Sequence, residues 1–158
     1  MITLSERSQP DRFVSLHFIG ISLPDERVMI TRSGIARVAF DGKSSDDWAR
    51  EELQLLLNLR SAIRRVQPRP PGKGLEWALR FEQWAPVAGP HAIFNADQSI
   101  NAGYAVDTFR LDVPDEPKTF VPLVADLAVR DADARLIRVG YYVTIVGRLE
   151  EITDDGID

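Results

Sequence analysis

Apolar and polar residues alternate most clearly between residues 120 and 150. The odd positions of residues 121–129 are all apolar, and those of residues 137–149 are apolar except Gly147. A period of two is typical of half-buried strands, because successive side chains point to opposite faces of a sheet. The short polar stretch between the two segments contains Asp131 and Asp133, which predicts a hairpin turn.

The second of these segments is also apolar on its even side, where it carries Tyr142, Val146 and the methyl group of Thr144. Strands that are covered on both faces lose a clean alternation. The pattern therefore indicates that something covers the even side of this strand as well: a helix, a second sheet or a partner chain.

Further strands are predicted along the rest of the chain. Residues 12–23 alternate in two successive phases, which indicates a strand bent by an extra residue. Residues 27–40 read as extended structure broken around Ser33 and Gly34, residues 75–82 alternate regularly, and residues 104–111 form another strand. The stretch from Pro86 to Pro90 predicts an interruption.

One stretch has the pattern of a long amphipathic helix that begins at Asp46 and ends at Val66. Ser44 followed by Asp47 approximates a capping box, and Pro68 stops the helix. Acidic residues suit its first turns and arginines its last turn, as the helix dipole favours. The apolar stripe has helical spacing and consists of Trp48, Leu55, Leu56, Leu59, Ile63 and Val66, with Glu52 in the same row.

These elements predict an α+β or mainly β domain, an antiparallel sheet that carries one long helix. The sheet is open to three arrangements: a single layer, a two-layer sandwich or a barrel-like form. A chain of 158 residues fits one domain, here residues 1–158, with residues 1–11 and 151–158 as flexible tails. A sheet wrapped around a long helix has the outline of the hot-dog and cone-like ligand-binding folds, an analogy that no residue motif carries.

Composition narrows the possible functions. The chain has no cysteine, which excludes disulfides and thiolate chemistry, and its net charge of −5 disfavours general nucleic-acid binding. No apolar run approaches the roughly 20 residues of a membrane span, and no signal peptide precedes the first strand, so a cytoplasmic location is expected. No cofactor is predicted.

Candidate catalytic residues are few. His17 lies in the first long strand and His91 in a predicted loop, but neither accompanies a nucleophile elbow or a helical zinc motif. Asp107 and Asp126 lie among apolar residues of two strands, where burial raises a carboxyl pKa and favours acid–base chemistry. The alternative for each is structural: a satisfied histidine, or a carboxylate that is exposed or pairs with Arg80 or Arg138. Metal ligands are not predicted. Asp131 and Asp133 lie in a predicted turn, where aspartates are common because they form local hydrogen bonds.

Candidate binding residues are aromatic or basic. Trp84 follows a strand beside Ala85 and Pro86 without an evident packing role, and Tyr142 is on the even side of the last strand. A basic cluster surrounds the predicted helix end and consists of Arg60, Arg64, Arg65, Arg69 and Lys73. It reads either as a site for an acidic group or as a solvated helix terminus.

Two functions are consistent with the sequence. The first is a non-catalytic structural or interaction protein, a subunit of a homo-oligomer or larger assembly, because the last strand is apolar on both faces and no catalytic motif occurs. Its partners are proteins, with no nucleic-acid or membrane signal. The second is a small-molecule binder or enzyme with a pocket between helix and sheet that uses Asp107 or Asp126.

Overall fold

The computed structural model describes residues 1–44, 46–96, 98 and 100–153. It contains eight strands, one short helix α1 (Arg60–Val66) and a single 3-10 turn (Pro10–Arg12) within these residues. The strands are β1 (Ile2–Ser5), β2 (Phe13–Ser22), β3 (Arg27–Asp41), β4 (Trp48–Asn58), β5 (Leu75–Asn95), β6 (Gly103–Leu111), β7 (Phe120–Arg130) and β8 (Ala134–Thr153).

The strands form two four-stranded sheets. The first sheet has the order β1-β4-β7-β6 and the second sheet has the order β2-β3-β8-β5. All neighbours are antiparallel except β1, which runs parallel to β4. Each sheet keeps two edge strands, so neither closes into a barrel. The prediction of a mainly β protein with antiparallel sheets is confirmed. Of the three predicted arrangements, the molecule has the one with two sheets.

Apolar side chains between the two sheets form the core. The first sheet contributes alternate residues of β4 and β7, such as Leu55 and Leu127, and the second contributes alternate residues of β8, such as Val143 and Ile145, all at most 1% exposed. Burying each such side chain contributes about 1.5–3 kcal/mol. The odd positions of residues 139–145 face this core, as the alternation predicted.

The predicted hairpin of residues 120–150 is wrong. β7 pairs with β4 and β6, whereas β8 pairs with β3 and β5 in the other sheet. The turn at Asp131 therefore carries the chain from one sheet to the other, and the apolar sides of β7 and β8 face each other across the core. With 20 residues, β8 finds longer partners in β3 (15 residues) and β5 (21 residues) than in β7 (11 residues).

The long helix from Asp46 to Val66 is also wrong. Residues 48–58 form strand β4, and only residues 60–66 are helical. Leu53, Leu55 and Leu57 alternate into the core, while Leu56 is half-buried on the other face. Helix propensities differ by less than about 0.7 kcal/mol per residue, so burial of several leucines between two sheets outweighs them. The predicted helix end at Val66 is correct.

Irregular backbone occurs in the predicted bent strand but not at the predicted break. The pairing of β2 with β3 shifts between Val14 and His17, whereas β3 runs unbroken through Ser33 and Gly34. Gly34 is required there, because a Cβ would lie 2.5 Å from the Tyr141 hydroxyl oxygen. The stretch from Pro86 to Pro90 belongs to β5 without an interruption, which an edge strand tolerates because its outer N–H groups have no ladder partner.

Both predicted tails contain strand residues. Ile2–Ser5 forms β1 against β4, and residues 151–153 complete β8 opposite β5. Residues 154–158 lie outside the described part of the chain. No described helix has the length and apolar character needed to cross a membrane.

Candidate functional site

The outer face of the second sheet carries an uncharged surface, here called the open face. Directly opposite residues of antiparallel strands share a face, so three cross-strand rows of four residues can be read from the register. The rows are His17, Ser33, Tyr142 and Val87; Ile19, Thr31, Thr144 and Ala85; and Ile21, Met29, Val146 and Gln83. None of these residues is Asp, Glu, Lys or Arg, although 27% of the chain is charged.

Several large side chains of the open face are exposed. Ile19 is 58% exposed, Val87 56%, Tyr142 51% and Ile21 44%. Ile19 and Ile21 are alternate residues of β2, and Tyr142 lies opposite Val87, whereas Thr31 of β3, the strand between these two pairs, is 7% exposed. Single exposed apolar residues are common on proteins, but neighbouring ones mark interaction surfaces. The open face is therefore the strongest candidate for a functional surface among the described residues.

A shallow depression of about 410 Å³ adjoins the exposed Tyr142 and Val87. Its floor includes Gly89 and Gly140, which lie directly opposite each other in β5 and β8. A Cβ added at Gly89 would meet nothing within 4 Å, so its missing side chain leaves open space. The open face thus has projecting side chains beside a recess.

Charged residues are placed at the two ends of the open face. At one end Arg27 and Arg148 both approach Glu82, at 3.1 and 3.7 Å. At the other end Arg37 lies opposite Arg138. An uncharged centre with a polar rim is the usual anatomy of a protein interface.

Trp84 does not belong to the open face. It lies opposite Ile145, whose side chain faces the core, but it remains 44% exposed because it borders a groove beside Leu111 and Pro114. The structure therefore separates Trp84 from Tyr142, the other aromatic binding candidate.

Asp107 and Asp126 lie opposite each other in β6 and β7, and Glu52 of β4 lies on the other side of Asp126. The three carboxylates form a row on the outer face of the first sheet. Asp107 accepts a hydrogen bond from the Thr108 hydroxyl at 3.2 Å. Arg80, a suggested partner, binds Glu150 instead. Neither aspartate lines a cavity beside α1.

The two histidines are far apart. His17 lies on β2 and His91 on β5, the opposite edges of the second sheet, with β3 and β8 between them. Three strand spacings of roughly 4.8 Å separate these edges by about 14 Å, too far for one metal ion. No group of three potential metal ligands occurs in the described residues.

The basic cluster divides into separate environments. Arg60 lies 3.6 Å from Glu76, and Arg69 lies over the ring of Trp77 at 5.5 Å from its centre. Arg64 and Arg65 are in the last turn of α1 and face solvent. Arg60 and Arg64 line one pocket of about 280 Å³, which Trp77 also borders, and Arg65 does not line it.

A buried polar cluster of Glu6, Arg32 and Tyr141 joins the two sheets. Glu6 accepts hydrogen bonds from Arg32 Nε at 3.0 Å, Tyr141 Oη at 2.5 Å and the Asn58 backbone N–H at 2.8 Å. Burial, and next the negative charge of Glu6, raise the pKa of the Tyr141 hydroxyl far above its usual value. The sequence offered no signal for this cluster, because Glu6 lies in a segment predicted to be a tail.

No family model, no curated protein and no solved structure matches this chain.

Proposed function

We propose that this chain is a non-catalytic interaction protein, a subunit of a homo-oligomer in which the open face is covered by the open face of a second copy. The observation that carries the proposal is the absence of charged residues from the three cross-strand rows of the open face. Three rows across four strands contain no charged residue, and Ile19, Val87 and Tyr142 are each more than half exposed.

The shape of the surface supports a second copy as the occupant. Tyr142 and Val87 project beside the recess above Gly89 and Gly140. In a two-fold contact, each copy presents the same surface to the other, so projecting residues of one copy can enter the recess of its partner. Two sheets stacked in this way pack about 10 Å apart, as in a sandwich core.

Charge supports the same occupant. Two copies of a chain with net charge −5 repel each other, and the repulsion is least where the contact surface carries no charge. An acidic or basic partner would find no electrostatic attraction at the centre of the open face, because that centre carries no charge. We therefore expect salt to strengthen the contact, because it screens the repulsion and does not weaken apolar burial.

The expected affinity is modest. Four strands about 4.8 Å apart and a length of about 20 Å along the strands give a projected area near 400 Å² per copy. Standard interfaces bury about 800 Å² per partner, and smaller ones belong to weak or transient complexes. The open face alone therefore supports an assembly that depends on protein concentration.

Contact through the face is favoured over strand addition at the β5 edge. Pro86 and Pro90 lie in β5 opposite Val143 and Val139, and neither has a backbone N–H to donate. An edge that lacks donors at two nearby positions is a poor template for a new strand.

A matched pair of lysine substitutions tests the proposal. Val87→Lys places a charge in the open face, whereas Ile93→Lys adds the same charge to the same strand at a residue that is similarly exposed, 53% against 56%. Ile93 lies opposite Leu136, on the other side of β5. Sedimentation equilibrium over a wide concentration range should show a dimer that Val87→Lys weakens at least tenfold and Ile93→Lys leaves intact.

Two results would overturn the proposal. One is a wild-type chain that remains monomeric at millimolar concentration, and the other is an equal effect of the two substitutions on the dimer. Unchanged thermal unfolding of both variants ensures that the comparison concerns association.

A further inference from the structure

A cavity of about 590 Å³ lies beside the end of α1, next to the end of the open face that Arg27 and Arg148 border. Its walls come from the end of α1, the β2–β3 turn, β5 and the last part of β8. Leu23, Val66, Trp77 and Leu149 supply apolar surface. The volume falls within the range of roughly 300–1,000 Å³ that is typical of small-molecule sites.

The charges around this cavity are mainly positive. Four arginines line it, Arg27, Arg69, Arg80 and Arg148, against two glutamates, Glu26 and Glu150. The lining alone has a surplus of two positive charges, and Glu82, which pairs with Arg27 and Arg148, lowers it to one, in a protein whose net charge is −5. Such a reversal of local charge favours an anion, because the field of the cavity attracts it despite the charge of the whole protein.

The carboxylates near the cavity do not satisfy all four arginines. Arg80 pairs with Glu150, and Arg27 and Arg148 share the single carboxylate of Glu82. Arg69 makes no ion pair with any described residue, and its guanidinium instead lies over the Trp77 ring. A guanidinium that stacks on an aromatic ring keeps its N–H groups available for a carboxylate or phosphate.

The indole of Trp77 holds this wall in place. Its Nε1 donates a hydrogen bond to the Arg69 backbone oxygen at 2.8 Å, so the ring and the residue above it are fixed relative to each other. The ring therefore presents an ordered apolar surface beside a guanidinium that lacks a carboxylate partner.

We propose that this cavity binds a small amphiphilic anion, with its carboxylate or phosphate group at the arginines and its apolar part against Trp77, Val66 and Leu149. None of its lining residues belongs to the three rows of the open face, although Arg27 and Arg148 border that face, so the site can be tested separately from the proposed assembly. It would give the chain a ligand-binding function in addition to its role as a subunit.

Isothermal titration of the full chain with three eight-carbon probes tests this site. Octanoate and octyl phosphate carry the anionic group, whereas octanamide has a similar apolar chain without charge. We expect saturable binding of at least one anionic probe, at least tenfold tighter than octanamide, because hydrogen bonds between a guanidinium and an anion are stronger than those to a neutral amide. Preference between the two anions identifies the head group.

Arg69→Gln and Arg65→Gln form a matched pair of variants, since both remove one positive charge near the end of α1 but only Arg69 lines the cavity. Arg69→Gln should weaken binding of the anionic probe about tenfold, and Arg65→Gln should leave it unchanged. Ser22→Trp, which adds bulk at the cavity wall without altering charge, should also weaken binding.

Equal binding of octanamide and both anions, no binding of either anion, or equal effects of Arg69→Gln and Arg65→Gln would overturn the ligand proposal. Sedimentation of Arg69→Gln separates this outcome from failure of the assembly, because its dimer should match that of the wild type. Conversely, Val87→Lys should bind the anionic probe normally.

Discussion

Tyr141 and Tyr142 are neighbours in β8, but they lie on opposite faces of the second sheet. Tyr141 is 4% exposed and donates a hydrogen bond to the buried Glu6, whereas Tyr142 is 51% exposed on the open face. The same residue type is therefore part of a closed polar cluster on one face and part of an uncharged exposed surface on the other.

The difference shows how each face of the sheet tolerates polar groups. On the inner face, charges are accepted because Glu6 receives three donors and Arg32 has a carboxylate partner, so neither charge is left unpaired. On the open face, no charged residue is present, and Tyr142 can keep its hydroxyl in water or in a polar rim. The inner cluster contributes to the fold, and the open face is available for association.

The largest expected effect is on the inner face. Arg32→Met leaves the buried carboxylate of Glu6 without its cation, and loss of one member of a buried pair costs about 3–5 kcal/mol. Urea unfolding should show this decrease in the free energy of unfolding. The double variant Glu6→Gln/Arg32→Met removes both charges and should recover much of the loss, whereas a loss under about 1 kcal/mol in Arg32→Met would contradict the assigned cluster.

Tyr141→Phe should have the second largest effect. It removes a hydrogen bond to a charged group, which costs about 1.5–3 kcal/mol, while Tyr142→Phe should change stability by less than about 0.5 kcal/mol. Parallel urea titrations of the two variants check this contrast. Equal losses would show that the two hydroxyls have equivalent roles.

The pH dependence of stability sharpens this contrast. The folded state raises the pKa of Tyr141 above its unfolded value, so its contribution to stability is full below about pH 10 and decreases as the pH rises above that value. The free energy of unfolding should therefore fall more steeply between pH 10 and 11 in the wild type than in Tyr141→Phe. Parallel pH profiles would contradict the buried, hydrogen-bonded hydroxyl.

Gly89→Leu should have the smallest effect on stability but a clear effect on association. Gly89→Leu fills the recess of the open face with an uncharged side chain, and the position has open space and no left-handed backbone. Stability should change by less than about 0.5 kcal/mol, but the proposed dimer should weaken about tenfold because the projecting residues of the second copy would lose their recess. Sedimentation equilibrium distinguishes this result from an unaltered dimer, which would place the contact elsewhere.

Part of the fold could be predicted from the chain. Alternation identified strands in residues 121–129 and 137–149 and the inward side of residues 139–145, because a period of two belongs to the strand itself. The segment of β4 has a helical pattern because its Leu, Glu, Gln and Arg residues favour helices, and its leucines occur at positions that satisfy the helix period and the strand period alike. Local preference could not resolve that ambiguity.

The candidate surface was predictable only in part. The apolar even side of β8 predicts Tyr142 as a surface residue, but nothing in the sequence predicts that Ile19 and Val87 lie on the same face. They join Tyr142 only through the register of β2, β3, β8 and β5. Similarly, the cavity residues Arg69 and Trp77 are close in sequence, whereas Arg148 reaches the same cavity from the far end of the chain.

By itself, the sequence determined the strand character of the apolar alternating segments and which side of residues 139–145 faces the core. The tertiary structure decided that β7 and β8 join different sheets, that residues 48–58 are a strand, and that Glu6 meets Arg32 and Tyr141. The reason is physical: alternation depends on neighbours along the chain, whereas strand partners and buried hydrogen bonds depend on residues far apart in sequence, 135 positions for Glu6 and Tyr141.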